Sequence, residues 1–304
     1  MGHNHLHNSK DLNSQQKKLG YTIVLNILMT LAQGLGGFLS GSLSLLSDAL
    51  HNFSDVVSLV ISYIASILTK KEQTVQKTFG YKRAEILAAF INTLTLILVA
   101  LYLIIEAIKR FYQPHEINSK WVIILSLFAI FINGFGALLL QRDAKNNLNI
   151  RSSYLHLLSD TLTSVAVLFG GVIMLYYHVY WIDGFLTLAI AIYLVFVTWK
   201  LFMESLKVLM LFTPSGVIPE KINDRLCKIP GVQNIHHIHI WQLDNDQIHF
   251  EGHIDFLNDI RLSEVNEAME EIRKILHSEF NIDHVTLQPE YNNCESKDLV
   301  NQNH

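Results

Sequence analysis

The sequence predicts a membrane α-helical fold, in which six transmembrane helices precede a small cytoplasmic α+β domain. Three observations support this prediction. Half of the 304 residues are hydrophobic and only 16% are charged, whereas soluble domains carry about 25% charged residues. Six apolar stretches have the length that crosses a bilayer. After residue 212 the apolar stretches give way to a more polar sequence with strand-like alternation.

The six apolar stretches are each close to the roughly 20 residues that a transmembrane helix requires. The second and the fifth contain His and Asp, and they are therefore less hydrophobic than the others. A polar, histidine-containing tail over residues 1–18 precedes them, and the six-helix domain is predicted over residues 19–212. The stretches are 19–39, 43–68, 84–108, 121–140, 154–177 and 182–203.

The distribution of Lys and Arg predicts the orientation of these helices. Lys is frequent in the N-terminal tail, Lys and Arg are frequent in the loops after the second and fourth stretches, and both are absent from the turns after the first and fifth. Because cytoplasmic loops are enriched in Lys and Arg, both termini are expected in the cytoplasm of a multi-pass cell-membrane protein surrounded by lipid. The net charge of -4 gives no indication of nucleic-acid binding.

Residues 213–291 are predicted to form a two-layer α+β domain with the element order αββαβ. Pro214, Gly216 and Pro219 end the last transmembrane helix. Strands are expected where apolar and polar residues alternate, and an amphipathic helix is expected where apolar residues recur with helical spacing. The elements are a helix at 217–229, strands at 234–243 and 247–256, a helix at 262–280 and a strand at 284–288. The polar tail over residues 292–304 is predicted to be disordered.

Two His–Asp pairs interrupt the apolar stretches. The second stretch contains His51 and Asp55, and the fifth contains His156 and Asp160. Residues four positions apart lie on the same face of a helix, so each helix offers one imidazole beside one carboxylate. An ionisable residue at membrane depth costs about 2.5–3.5 kcal/mol on insertion scales. These four side chains are therefore expected to face one another around a cation.

Two imidazole nitrogens and two carboxylate oxygens favour Zn²⁺, which prefers tetrahedral sites with such ligands. Two negative charges would neutralise the ion, whereas Mg²⁺ and Ca²⁺ require more oxygen ligands. The alternative is a His–Asp ion pair that only links two helices. Asp48, three residues before His51, has three open roles: an entry path, a hydrogen bond to a ligand histidine, or a helix cap.

Such a site also predicts a transport mechanism. Metal binding requires neutral His and ionised Asp, so the metal competes with protons. His titrates near neutral pH, and a site that alternates between two sides of a membrane would then exchange metal for protons. Two other functions stay open at this point: an integral-membrane metalloenzyme, and a metal sensor or channel without coupled exchange.

Four stretches resemble the cation diffusion facilitators, which include bacterial zinc, cobalt and cadmium efflux proteins. They are SGSLSLLSDALHNFSD (40–55), TFGYKRAEILAAFIN (78–92), HLLSD (156–160) and IPGVQNIHHIHIW (229–241). The resemblance implies six transmembrane helices, a metallochaperone-like (ferredoxin-like) cytoplasmic domain, a homodimer, and export of Zn²⁺ in exchange for H⁺, with Co²⁺ and Cd²⁺ as further substrates. It also implies that His51, Asp55, His156 and Asp160 hold the transported ion, and that the chain is a transporter and not an enzyme.

The resemblance further implies a regulatory zinc site in the cytoplasmic domain. Its positions match His236 and His253, together with Glu290 in place of the family's aspartate. Gln288 replaces a histidine of the family pattern, and an amide is a poor zinc ligand. His249 is a fourth candidate, because alternation along a strand places it on the same face as His253. The alternative is that these histidines are solvated strand residues.

Overall fold

The computed structural model describes residues 24, 27–69, 71–141, 148–244, 247–292 and 298–300. It divides into two compact units: residues up to Ile61 with Asn92–Lys200, and Ser62–Ile91 with the chain from Leu201 onward. The predicted tail over residues 1–18 lies outside the described residues. Of the predicted tail over residues 292–304, the structure describes residues 292 and 298–300.

Among the described residues, six helices occupy the predicted transmembrane region. Four of them, α3 to α6, contain segments long and apolar enough to cross a membrane, which confirms a membrane helical domain. Helix α1 is described over a shorter apolar range, and α2 is long but contains charged residues. Six spans therefore stay a prediction. The bounds are α1 Ile27–Ser40, α2 Leu43–Thr69, α3 Ala84–Tyr112, α4 Ser119–Leu140, α5 Leu148–Tyr177 and α6 Trp181–Leu209.

The N-terminus of α2 is fixed by Asp183, a fully buried residue near the start of α6. Its carboxylate accepts hydrogen bonds from the backbone N–H groups of Leu43 (2.7 Å) and Ser44 (3.3 Å), and from the hydroxyls of Ser42 and Ser44 (2.6 Å each). The first N–H groups of a helix lack intrahelical partners and favour a negative charge. Arg110 of α3 lies 3.6 Å from the same carboxylate. Helix α2 is therefore anchored to α3 and α6 at this end.

Two glycines allow close packing between neighbouring helices. A Cβ added at Gly37 of α1 would lie 3.0 Å from the backbone nitrogen of Leu46 on α2. A Cβ added at Gly171 of α5 would lie 3.1 Å from side-chain carbons of Val122 and Ile123 on α4. A larger residue at either position would separate these helix pairs.

The second unit contains an α+β domain whose elements follow the predicted order αββαβ. They are α7 Pro219–Leu226, β1 Val232–Gln242, β2 Ile248–Phe256, α8 Leu262–Phe280 and β3 His284–Glu290. The sheet order is β1-β2-β3, with β1 antiparallel to β2 and β2 parallel to β3. A small sheet in the cytoplasmic domain is thereby confirmed, and its ferredoxin-like relationship stays a prediction.

The core of this domain lies on one face of the sheet. Phe250 and Ile254 of β2 are almost fully buried in one hydrophobic cluster with Ile272 and Leu276 of α8. Side chains alternate between the two faces of a strand. The opposite face of β2 therefore carries the polar residues of this strand, including the candidate ligand His253.

A bulge in β1 changes the histidine arrangement that simple alternation predicts. The pairing of β1 with β2 shifts between His236 and His239, and His237 has a positive φ of 53°. As a result, the rings of both His236 and His237 lie near His253, with centroid distances of 5.4 and 4.7 Å. Alternation alone would have placed His236 and His237 on opposite faces.

Candidate metal centre

The two intramembrane His–Asp pairs form a closed ring of four side chains. Nε2 of His51 lies 3.8 Å from Oδ2 of Asp55 and 3.9 Å from Oδ1 of Asp160. Nε2 of His156 lies 3.2 Å from Oδ2 of Asp55 and 3.5 Å from Oδ2 of Asp160. Imidazole and carboxylate thus alternate around the ring, and each carboxylate contacts the histidines of both helices. The structure brings together all four residues that the sequence predicted here.

The ring is open on one side and closed on the other. The side chain of Asp160 is 3% exposed, whereas that of His156 is 39% exposed. Three ring atoms are buried and have no hydrogen-bond partner within the described structure: Nδ1 of His51, Oδ2 of Asp55 and Oδ2 of Asp160. Buried polar atoms without partners are rare in native proteins. Unsatisfied carboxylate oxygens beside two imidazoles indicate a place for a cation.

The dimensions of the ring match a tetrahedral zinc site. Metal–ligand distances of about 2.0 Å in a tetrahedron separate the ligand atoms by about 3.3 Å. The four N···O distances in the ring span 3.2 to 3.9 Å. Potential ligand atoms of His51, His156 and Asp160 all lie within 4.8 Å of one another. Only small side-chain movements are therefore needed for coordination.

Asp48 lies behind the ring, in a polar network that the sequence did not predict. Its carboxylate accepts hydrogen bonds from the side chains of Gln33 on α1 and Ser164 on α5. A bond to a ligand histidine, one of the three predicted roles, is not among its hydrogen bonds in the described residues. Gln33 and Ser164 were missed because the sequence does not reveal which helix packs against which. A polar amide inside an apolar stretch was the available signal for Gln33.

A second cluster lies on the sheet of the cytoplasmic domain. Glu290 of β3 joins the two predicted histidines: its Oε1 lies 2.8 Å from Nδ1 of His253, and its Oε2 lies 3.6 Å from Nε2 of His236. Potential ligand atoms of the three residues all lie within 4.8 Å of one another. The side chains of His236 and Glu290 are 2% and 6% exposed. Three of the four predicted cytoplasmic residues are therefore adjacent.

The residues of this second cluster fit a bound metal ion. Oδ1 of Asp255, next to His236, is buried and lacks a hydrogen-bond partner within the described structure. Two imidazoles with one carboxylate are a common ligand set for zinc. The side-chain amide of Gln288 donates a hydrogen bond of 2.8 Å to Glu290. Gln288 thus holds the candidate ligand Glu290 in place, as an orienting partner does in many metal sites.

His249, the fourth cytoplasmic candidate, lies apart from this cluster. It is four positions from His253 along β2, which corresponds to about 13 Å in a strand. Its buried ring stacks on Trp241 and lies 4.7 Å from the ring of His284, measured between centroids. Burial lowers the pKa of His249, and the neighbouring His284 lowers it further. Among the described residues, His249 is not within the group of His236, His253 and Glu290 that could hold a metal.

Comparisons with known protein families match two consecutive parts of the chain. The family model described as the cation efflux transmembrane domain matches residues 19–210. The model described as the cation efflux protein cytoplasmic domain matches residues 214–292. The two matches together span most of the chain, and the first alone covers more than half of it.

Three curated relatives are similar along almost their whole length. A cadmium, cobalt and zinc/H⁺-K⁺ antiporter of Bacillus velezensis is 36% identical over 294 residues, which cover 95% of this chain and 92% of the relative. The metal cation efflux system protein CzcD of Cupriavidus metallidurans is 32% identical, covering 99% and 94%. The zinc transporter ZitB of Escherichia coli is 28% identical, covering 98% and 95%.

Proposed function

Because the chain belongs to the cation efflux family, it is a membrane transporter of divalent metal cations and not an enzyme, and we propose that it exports Zn²⁺ from the cytoplasm in exchange for protons. The observation that carries this proposal is the alternating ring of His51, Asp55, His156 and Asp160. Relatives are described as antiporters of cadmium, cobalt and zinc, and as zinc transporters. Co²⁺ and Cd²⁺ are therefore further substrates to test.

The ligand set supports zinc as the preferred substrate. The ring offers two nitrogens and two carboxylates, so a divalent ion bound there would have its charge neutralised. Neutralisation matters because an unpaired charge is costly at membrane depth. The ring contains no thiolate, the ligand that selects Cu⁺, and too few oxygens for Ca²⁺.

The same ligands provide the coupling to protons. An imidazole binds metal only in its neutral form, and a carboxylate binds it best when ionised. Zinc arriving from the cytoplasm would displace protons from the ring. After the site opens to the other side, protons from that side would displace zinc. Zinc and protons thus occupy the same four side chains in turn.

We further propose that α1 to α6 are six transmembrane spans with both termini in the cytoplasm. Large apolar side chains on α1, α4 and α6 point away from the protein interior, among them Phe38, Phe131 and Phe196 with exposures of 81%, 68% and 79%. Exposed apolar surface of this kind is expected where lipid replaces water. The Lys and Arg distribution gives the orientation.

The cytoplasmic cluster is proposed as a regulatory zinc site held by His236, His253 and Glu290. Its support is the short Glu290–His253 contact of 2.8 Å together with the burial of His236 and Glu290, whose side chains are 2% and 6% exposed. A metal bound there would stabilise the sheet, because the ligands come from all three strands. The matched cytoplasmic domain model also supports a homodimer assembled through this domain.

Flux through proteoliposomes tests the proposed transport function. Purified full-length protein is reconstituted, and Zn²⁺ uptake is followed with an internal fluorescent indicator, with and without an acidic interior. Exchange predicts faster uptake into acidic vesicles, since protons leave as zinc enters. Asp160→Ala should abolish uptake, and Ser159→Ala, next to Asp160 but outside the ring, should not. Zinc flux that does not depend on the pH gradient would indicate a channel. The absence of any zinc flux would indicate a sensor.

A further inference from the structure

A buried polar network joins α1, α2 and α5 beside the proposed transport site. The amide nitrogen of Gln33 on α1 donates a hydrogen bond of 2.6 Å to Oδ2 of Asp48 on α2. The hydroxyl of Ser164 on α5 donates to the same oxygen over 3.4 Å. Asn52 of α2 donates to Oε1 of Gln33 over 3.3 Å. All four residues are at most 2% exposed, so the network belongs to the interior of the helix bundle.

The network is adjacent to the residues that would hold the ion. Asp48 lies three residues before His51, and Asn52 directly follows His51. Ser164 lies four residues after Asp160, one turn further along the same face of α5. A movement of α5 that separates Ser164 from Asp48 therefore also changes the distance of 3.9 Å between His51 and Asp160.

The contacts of Asp48 are those of an anchor and not of a fifth ligand. Within the described residues, the group of atoms that could hold a metal here contains His51, His156 and Asp160 but not Asp48. Its partners on α1 and α5 are neutral hydrogen-bond donors. If one of these partners were removed, a buried polar group would lose its hydrogen bond, which is costly. The helices are therefore held at the spacing at which these hydrogen bonds can form.

We propose that Asp48 is a positioning residue for metal binding. Through Ser164 it fixes the spacing of α2 and α5, and through Gln33 it anchors α2 against α1. The inference rests on the proposed function, since it assigns Asp48 a role at the same transport site. It accounts for a carboxyl group that is buried close to the ring but does not contribute to it. It also gives α1 a function, because α1 supplies the shortest hydrogen bond of the network.

The sharpest test exchanges the amide of Gln33 and the carboxylate of Asp48 between their two positions. Gln33→Glu places a second carboxylate against Asp48, and two like charges in a buried site repel each other. Adding Asp48→Asn restores one carboxylate and one amide with the same side-chain lengths, now on opposite helices. All variants are made in the full-length chain carrying His236→Ala and His253→Ala, so that the cytoplasmic cluster does not contribute to metal binding. The same chain with Asp160→Asn gives the blank.

Cobalt binding to these variants in detergent is measured by visible absorption, which reports both affinity and tetrahedral geometry. Gln33→Glu should weaken Co²⁺ binding about tenfold and reduce the tetrahedral bands, as expected for strongly coupled neighbours. The double exchange should recover binding to within about threefold of the parent chain. In zinc flux, Gln33→Glu should raise KM more than it lowers the maximal rate, because the ligands remain present but are less well placed.

A milder pair of variants covers the case in which Gln33→Glu does not fold. Ser164→Ala removes one hydrogen bond of the network and should weaken Co²⁺ binding about threefold. Ser126→Ala is the matched control: Ser126 is fully buried on α4, and its hydroxyl has no hydrogen-bond partner within the described structure. It should leave Co²⁺ binding unchanged.

The outcomes separate this inference from the proposed function. If the parent chain shows no tetrahedral cobalt signal above the Asp160→Asn blank, the proposed transport site is wrong. If the parent binds cobalt but Gln33→Glu and Ser164→Ala bind it equally well, the positioning role of Asp48 is wrong. The positioning role would also be wrong if the double variant bound Co²⁺ as weakly as Gln33→Glu alone. Binding would then not depend on the pairing of one amide with one carboxylate.

Discussion

The intramembrane and cytoplasmic clusters both combine histidines with carboxylates, but the first lies on helices and the second on a β-sheet. The ring of His51, Asp55, His156 and Asp160 joins two helices, and in the described structure these helices are linked there by side chains alone. The cytoplasmic group lies on three strands of one sheet, in which His236 pairs directly with His253. Hydrogen-bonded strands keep a fixed spacing, whereas packed helices can slide or tilt.

This difference suits the two functions that are proposed for the clusters. A transported ion has to be released, so its ligands must be able to separate, and helices that contact through side chains allow this. A resident ion stabilises a fold best when its ligands are held in place by backbone hydrogen bonds. Exposure agrees with this division, because His156 is 39% exposed whereas His236 is only 2% exposed.

The largest predicted effect comes from the same substitution at both sites, a carboxylate replaced by its isosteric amide. Asp160→Asn removes one of the two charges that neutralise the ion, and zinc flux should fall by more than about 100-fold, since even outer-shell changes cost 10–100-fold. Glu290→Gln makes the same change in the sheet and should leave flux within about threefold of wild type. Proteoliposome flux with equal protein loading measures both.

Two results would contradict this contrast. Substantial zinc flux in Asp160→Asn would show that the ring does not lie on the transport route. A complete loss of flux in Glu290→Gln, with the protein still folded by gel filtration, would mean that the cytoplasmic cluster takes part in each transport cycle.

The two His–Asp pairs of the ring were predictable from sequence because the geometry within each pair is local. Residues four apart on a helix share a face whatever the rest of the fold does, so His51 with Asp55 and His156 with Asp160 could be paired without a structure. The bounds of α8 were likewise predictable, because a clear amphipathic period spans Leu262–Phe280.

Long-range packing could not be read in the same way. The hydrogen bond from Gln33 to Asp48 depends on how α1 packs against α2. The bulge between His236 and His239 depends on pairing with β2. The last strand extends to Glu290, beyond the predicted end at Gln288, because pairing with β2 continues as far as Asp255. Each of these features depends on a partner distant in the sequence.

Zinc removal should lower the stability of the sheet, and this effect should depend on the cytoplasmic cluster and not on the ring. A ligand present at about 100 times its dissociation constant stabilises the folded state by about 2.7 kcal/mol. In the full-length protein, zinc should therefore slow amide hydrogen exchange in β1 to β3, and a chelator should reverse this. His253→Ala should lose the zinc effect in these strands, whereas Asp55→Asn should retain it. Equal zinc protection in His253→Ala and wild type would exclude the sheet site.

Metal selectivity should depend on the ring alone. His51→Asp replaces a nitrogen ligand by a carboxylate, which loosens the preference for zinc. The ratio of Cd²⁺ to Zn²⁺ flux should rise about tenfold, the size of effect expected for a change in a metal site. His253→Asp is the matched change in the sheet and should leave the ratio as in wild type. If His51→Asp transports the two metals in the wild-type ratio, imidazole does not set selectivity.

The smallest predicted effect concerns His249, a histidine in the same strand as His253 but surrounded by aromatic rings. Burial lowers its pKa, with a further contribution from His284, while Asp244 and Asp283 act in the opposite direction. The unfolded chain then binds a proton more readily than the folded domain as the pH falls through about 6.5, so the stability of the folded domain decreases in that range.

His249→Phe should reduce this pH dependence without affecting metal binding. Amide exchange of β1 and β2, corrected for the intrinsic pH dependence of exchange, should accelerate in wild type between pH 7.5 and pH 5.5 in the presence of a chelator. The acceleration should be smaller in His249→Phe, and zinc protection at pH 7.5 should be unchanged, because His249 lies outside the group of His236, His253 and Glu290. Loss of zinc protection in His249→Phe would instead make His249 part of the metal site, and the contrast between a metal-binding and a packing histidine in one strand would fail.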